Sequence, residues 1–252
     1  MKMTVFYFTA TGNSLAVAKA IGGKLLSIPQ VIGKTEQYQD NAIGIVFPTY
    51  NWGLPRMVQQ FLQATTFDAP YTFAVGTYGF AYGKCMENIQ SVVSRPFDYT
   101  ASIRMADNFI PGFDQRKEAV GFYKRNVPEN IKKIAADIHA GARSLDRANP
   151  FLRIVHPLIA ANEAKNIDIN TARRFHIDEK CNLCGICAKV CPAGNLMVTD
   201  RVCPADHCEG CLACVHLCPQ NAVHVPREKN EARWKHPDVA LGEIIAANHQ
   251  RA

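Results

Sequence analysis

Ten cysteines stand in a chain of 252 residues, and eight of them fall into two runs of one pattern. The first reads Cys181-Asn-Leu-Cys184-Gly-Ile-Cys187-Ala-Lys-Val-Cys191-Pro192, the second Cys208-Glu-Gly-Cys211-Leu-Ala-Cys214-Val-His-Leu-Cys218-Pro219. Both have the form C-x2-C-x2-C-x3-C-P, and each cysteine of the second run lies 27 residues after its counterpart in the first. Three cysteines at i, i+3 and i+6 can wrap a tight loop around one face of an iron–sulfur cubane, each thiolate taking one iron. The fourth follows on a short helical turn, which proline then ends because it lacks the N–H a continuing helix needs. A structural zinc site wants two ligand pairs, so the third cysteine of each run would go unused. A disulfide framework needs an oxidising compartment, and the apolar start of the chain is broken by Thr9, Thr11, Gly12 and Asn13 well short of an export signal.

This spacing resembles that of the bacterial two-cluster ferredoxins. The resemblance implies one [4Fe–4S] cluster on Cys181, Cys184, Cys187 and Cys218, and a second on Cys208, Cys211, Cys214 and Cys191, the fourth cysteine of each run serving the other cluster. Cys203 lies between the runs without a mate at the 27-residue offset and reads as a bystander. His207 and His216 flank ligands and are expected to hydrogen-bond or face solvent, since all eight ligand positions are filled.

The elements that must position this chemistry begin at the other end of the chain. Met3–Phe8 is an apolar run of strand-forming residues. It stops at Thr9-Ala-Thr-Gly-Asn-Ser14, after which Leu15, Ala18, Ile21, Leu25 and Leu26 take helical spacing. Strand, Thr/Gly/Asn/Ser loop and helix N-terminus make an anion-binding arrangement of backbone N–H groups and hydroxyls. It is neither a Walker A loop nor a G-x-G-x-x-G fingerprint, which disfavours ATP and NAD at this turn. An ordinary N-capped helix is the plain alternative. Further strands are expected at Ala42–Pro48, Tyr71–Val75 and Thr100–Met105, with a short one over Leu25–Ile32. Helices are expected after Pro55, from Gly83 to about Ser94, and over Pro128–Ala142. Alternation of this kind implies a doubly wound parallel sheet, with ligands beyond the carboxyl ends of its strands.

The loop Thr9-Ala-Thr11-Gly12-Asn13-Ser14 matches T-x-T-G-N-[ST], and the region resembles a flavodoxin. The resemblance implies FMN, its phosphate held by Thr9, Thr11, Gly12, Asn13 and Ser14. The second loop, Pro48, Thr49, Tyr50, Asn51, Trp52 and Gly53, and the third, Thr77, Tyr78, Gly79, Phe80 and Gly83, would flank the ring. Tyr50 or Trp52 and Tyr78 or Phe80 would stack on it, with either member of each pair open and core packing the alternative for each. Tyr82 is a further aromatic in the third loop. Cys85, just past that loop, reads as a small buried hydrophobe rather than a reactive thiol.

The whole chain resembles the ferredoxins that carry an N-terminal flavodoxin-like domain, and Met105-Ala-Asp-Asn-Phe-Ile110 resembles a segment of that family. The fold class expected is an α/β flavodoxin-like doubly wound sheet followed by a small α+β ferredoxin domain. The divisions expected are a flavodoxin-like domain over 1–145, a helical linker over 146–172, a ferredoxin domain over 173–226 and a helical tail over 227–252. Net charge is +6, with 15 basic and 10 acidic residues in 1–145 but 3 and 5 in 176–225. No dense basic stripe suggests nucleic acid. Acidic redox proteins are the partners such a surplus would suit, a merely solvated surface being the plain alternative. No apolar stretch reaches the roughly 18 residues of a membrane span, so a cytoplasmic location is expected. Flavin and clusters on one chain imply electron transfer between them, a two-electron to one-electron converter. An FMN-dependent reductase of a small molecule or quinone is the alternative, and a redox sensor a third class. Oligomeric state and the direction of electron flow stay open.

Overall fold

The computed structural model describes residues 2–34, 37–150, 153–154 and 174–249. Its central sheet is parallel and consists of β1 (Met3–Tyr7), β2 (Lys24–Ser27), β4 (Ala42–Pro48), β6 (Tyr71–Tyr78) and β7 (Tyr99–Arg104), in the spatial order β2-β1-β4-β6-β7. Counted by their place in the chain, the five strands run 2-1-3-4-5, the flavodoxin-like doubly wound order. A short parallel pair, β3 (Gln37–Gln39) and β5 (Thr66–Asp68), stands apart from the sheet.

Side chains leave a strand alternately to its two faces. Val5 and Tyr7 therefore face one core, with Val17, Ala18 and Ile21 of α1 (Asn13–Ile21), Phe122 of α5 (Gln115–Lys124) and Ile134 and Ile138 of α6 (Val127–His139). Phe6 and Phe8 face the other, with Phe61 and Leu62 of α3 (Arg56–Ala64) and Met86 of α4 (Cys85–Asn88). On the α1 side the ring of Phe73 lies over Gly44, where a Cβ would fall 2.0 Å from it.

Several boundaries differ from expectation. Leu25 and Leu26 belong to β2 and not to α1, because Gly22 and Gly23 both take positive φ and turn the chain back. The short segment after β2 is a helical turn, α2 (Ile28–Val31), so the strand expected over Leu25–Ile32 ends at Ser27. β6 runs three residues past Val75, and the helix expected to reach Ser94 is α4 followed by a 3-10 turn at Ile89–Ser91. Helix α5 has too little apolar periodicity to be read, and is started by Asp114, whose carboxylate accepts from Arg116 N and Lys117 N. The linker expected over 146–172 lies mostly outside the described residues. At its start Asp146 N still donates to Thr100 O at the edge of the sheet.

The cysteine region is an internal duplication in backbone as well as in sequence. Left-handed φ occurs at Leu183 and Gly210, Gly185 and Leu212, and Gly194 and Asn221, each pair 27 residues apart. Helical turns at Ile186–Lys189 and Ala213–His216 keep the same offset. Strand His176–Ile177 pairs antiparallel with Val223–His224, and Leu196–Val198 with Val202–Pro204, which contains Cys203. Ile110, from the segment after β7, is wholly buried in the core of this unit beside Leu212, Val215 and Val223. The tail then returns across the first domain. Trp234, Val239 and Ile244 are buried against the α1 side of the sheet, and helix Leu241–Asn248, shorter than expected, follows.

Candidate functional site

The carboxyl ends of β1, β4, β6 and β7 open into one cleft. The first loop contributes Thr9, Thr11, Asn13 and Ser14, the second Pro48, Thr49 and Tyr50, and the third Thr77, Tyr78 and Gly79. A fourth loop, Ala106, Asp107 and Asn108, completes the wall. Its residues were singled out in the sequence only as a family-like segment, because nothing in their types marks them as ligand-binding.

The first loop is stiffened from within. Gly12 N donates to Thr9 Oγ1 (3.2 Å), and Ser14 Oγ and Thr77 Oγ1 share a bond of 2.9 Å. Asn13 donates to Ala106 O (3.0 Å) and accepts from Trp234 Nε1 (3.0 Å), so its side chain ties the first loop to the fourth loop and to the tail. Gly12 takes φ +100, which strains any other residue, and a Cβ there would press on His236 Cβ at 3.0 Å and Val239 Cβ at 3.1 Å. These partners occupy the side chains of Asn13 and Ser14. They leave the first-turn N–H groups of α1 facing the cleft end, where helix geometry provides no internal acceptors for them.

The second loop is a tight turn in which Tyr50 N and Gly53 N donate to each other's carbonyls at 3.0 and 2.9 Å. Asn51 and Trp52 both take left-handed φ, 48° and 65°, as a hairpin turn of this hand requires. Of this turn only Tyr50 reaches the cleft wall; Asn51, Trp52 and Gly53 do not. A Cβ at Gly53 would meet nothing nearer than Tyr50 O, at 3.7 Å. Tyr50 stands edge-on to Phe8 at 6.2 Å, and its hydroxyl is buried with no protein partner, as is Thr49 Oγ1. Burial raises its pKa well above the usual phenol value, followed by the charges of Cys211, Glu209 and Cys208.

In the third loop Tyr78 and Gly79 line the cleft, whereas Phe80 is 64% exposed and packs on Phe113 at 6.0 Å. Gly83 and Tyr82 turn away; the Tyr82 hydroxyl meets Asp146 Oδ1 at 3.2 Å. Cys85 is fully buried, and burial pushes its thiol up to about 12, the inert state expected of a core residue. Asp107 accepts from Phe80 N and Phe109 N, at 3.1 and 2.8 Å, and burial raises its pKa. Behind it, Arg125 donates to Met105 O and pairs with Glu118, which also accepts from Asp107 N, so α5 braces the fourth loop.

The eight cysteines separate into two groups. Cys191 lines one cavity with Cys208, Cys211 and Cys214. Cys187 has its thiol raised to about 11 by burial, with Cys218, Cys181 and Cys184 adding to the shift as its charged neighbours. The thiols of Cys211 and Cys214 are raised well above the usual range by burial. Metal ligation deprotonates such thiols, so buried cysteines with raised pKa values are suited to a cationic guest. Backbone N–H groups already point at sulfur, from Asn195 to Cys191 (3.2 Å), Gly210 to Cys208 (3.3 Å) and Ala222 to Cys218 (3.3 Å). Such bonds are a principal lever on cluster potential. His216 is a connector: its Nδ1 accepts from Trp234 N (3.0 Å) and its Nε2 meets Asn108 O at 2.7 Å.

A doubly wound sheet in flavodoxin order followed by two cysteine runs of ferredoxin spacing defines an iron–sulfur electron-transfer protein. Residues 175–197 match the family model described as 4Fe-4S binding domain. Over 62 residues the chain is 36% identical to the pyruvate synthase subunit PorD of Methanocaldococcus jannaschii, covering 23% of this chain and 72% of that one. An uncharacterized ferredoxin of the same organism is 34% identical over 67 residues, 87% of its length. The chain belongs to the 4Fe–4S ferredoxins, carried here behind a flavodoxin-like domain. Among solved structures, a Bacteroides uniformis protein described as a flavoprotein covers 53% of this chain and 96% of its own (14% identity, TM-score 0.35). A flavodoxin from the domain Archaea covers 54% and 99% (14% identity, TM-score 0.27). At such scores the strand order, not the superposition, carries the fold. Among the described residues no helix is long and apolar enough to cross a membrane.

Proposed function

We propose that the cleft binds FMN, that the cysteines bind two [4Fe–4S] clusters, and that electrons pass between them within the chain. One observation carries this: Asn108 belongs to both sites. It lines the cleft, its side chain lies 3.5 Å from Thr11 Oγ1, and the same Nδ2 lies 3.4 Å from the carbonyl of the ligand Cys211. The cleft also fits the cofactor in its donor set, with unpartnered hydroxyls at Thr49 and Tyr50 and a helix N-terminus for a phosphate. FMN supplies exchange of electrons singly or in pairs, and each cluster passes one at a time. The residues supply position and insulation: Thr9, Thr11 and the first turn of α1 hold the anion, and Tyr50 and Tyr78 wall the ring. Leu212, Val215 and Ile110 pack against Cys187 and Cys214 and keep that side of the cysteine loops dry. Cytoplasmic redox proteins are the proposed partners.

Anaerobic purification tests this directly. Acid should release about one FMN per chain, together with about eight iron atoms and eight labile sulfides. Zinc without labile sulfide would sink the cluster assignment, and a chain that neither carries nor binds flavin would sink the cleft assignment. Phe80 and Phe109, 64% and 50% exposed around Asp107, favour a second reading, reduction of a small aromatic acceptor at the cleft mouth. Turnover of such an acceptor far above the rate with free FMN would support it.

A further inference from the structure

The duplication lets equivalent positions of the two cysteine loops be compared one by one, and they are not used alike. Cys208 and Cys211 are buried at 8% and 7% exposure, whereas their counterparts Cys181 and Cys184 are half-buried and exposed. Glu209, whose side chain is 3% exposed, reaches into the first domain. It accepts from Arg56 Nε (3.1 Å) and from Met57 N (3.3 Å) in the first turn of α3. Its counterpart Asn182 instead accepts from Cys184 N in its own loop. The Cys211 carbonyl meets Asn108, and His216 in the second turn meets the backbone of the same residue. The counterpart of Leu212 is Gly185, which has open space where a Cβ would be, and Leu183 beside it is 42% exposed.

We infer that the two clusters are ordered. The set Cys191, Cys208, Cys211 and Cys214 is the flavin-side one, walled by Tyr50 and Asn108. The set Cys181, Cys184, Cys187 and Cys218 is the exit, opening to solvent at Leu183 and Cys184. Asn108 and Glu209 are positioning residues that fix the flavin-side set against the cleft. The order rests on the cluster half of the proposed function and not on the flavin.

Paramagnetic broadening in the 15N-labelled full chain, purified anaerobically with its clusters, tests the order. Tyr50, Met57 and Asn108 amides should stay broadened in Cys184→Ser and sharpen in Cys208→Ser; the reverse pattern would overturn the assignment. If Cys208→Ser does not fold, the wild-type protein can be oxidised stepwise with ferricyanide until about half its iron is lost. Amides of residues 182–185 should then sharpen first while those of Tyr50 and Asn108 remain broadened, and the opposite order would refute the inference. Neither readout requires flavin. Absence of FMN from the preparation would count against the proposed cofactor while leaving the cluster order tested.

Discussion

Gly79→Ala tests whether the third and fourth loops form one cleft wall. The backbone of Gly79 does not take positive φ, so alanine adds no conformational strain of its own. A Cβ there would lie 2.2 Å from both Cβ and Oδ2 of Asp107 and 2.4 Å from its Cγ, where contacts essentially never fall below 3.0 Å. Turning the Asp107 side chain moves Cγ and Oδ2 but not Cβ, so the backbone of the fourth loop must retreat by at least the missing 0.8 Å. Overpacking of this kind costs about 1–3 kcal/mol. The retreat also strains the bonds from Phe80 N and Phe109 N to Asp107, each of the charge-assisted kind worth about 1.5–3 kcal/mol. Their partial loss should cost about 2–4 kcal/mol of stability and raise the FMN dissociation constant at least tenfold, about 1.4 kcal/mol. Denaturant titration and flavin fluorescence quenching measure the two effects. Gly79→Ala/Asp107→Gly, which removes the colliding Cβ, should recover part of the loss. Wild-type flavin affinity in Gly79→Ala would refute the shared wall.

Glu209→Gln removes the charge between Cys208 and Cys211 but keeps an acceptor for Met57 N, so the midpoint potential of one cluster should rise while the other holds. Anaerobic titration followed by EPR reads both, and equal shifts would argue against a local effect. Trp52→Gly should stabilise the fold by about 1 kcal/mol, because glycine takes the left-handed φ of 65° that tryptophan adopts there at a cost. Chemical denaturation checks this, and a loss of stability would mean that Trp52 packing outweighs the strain. Burial lowers the pKa of His236 from 6.5 to about 4. The unfolded chain therefore takes up a proton first as pH falls, and stability present above pH 6.5 declines toward pH 4. Between pH 7 and 5 the loss should be about 2 kcal/mol, and hydrogen exchange in α1 should show a shallower pH dependence in His236→Gln.

The cysteine loops were legible because ligand chemistry dictates residue type and spacing together, and no packing demand produces the same pattern. The buried strands were legible for a similar reason: Met3–Tyr7 and Ala42–Pro48 are covered on both faces and are accordingly almost entirely apolar, Thr4 being hydrogen-bonded to Asp40. Helix α5 was not, since only Gln115 and Phe122 of its ten residues are buried. At the candidate site the Thr/Gly/Asn/Ser loop carried its own signal, but Asn108 did not. An asparagine gains its role from what lies on either side of it, and its neighbours Thr11 and Cys211 are 97 and 103 residues away. Of the alternatives Tyr50 and Trp52, Tyr50 lines the cleft, and residue type alone could not separate them because the tight turn of Tyr50–Gly53 decides which side chain faces inward.

The tail that crosses the first domain has a consequence for the order of assembly. Asn248 donates to Thr9 O, 239 residues earlier, and to Val190 O, while His236 N donates to Thr11 O. During synthesis the sheet and both cysteine runs leave the ribosome before the residues that fasten the first loop. Contacts so distant in sequence are formed late and slowly. On the proposed function, iron and sulfide can thus be loaded onto a chain whose first loop is still unfastened, and the cleft becomes whole only when helix Leu241–Asn248 docks.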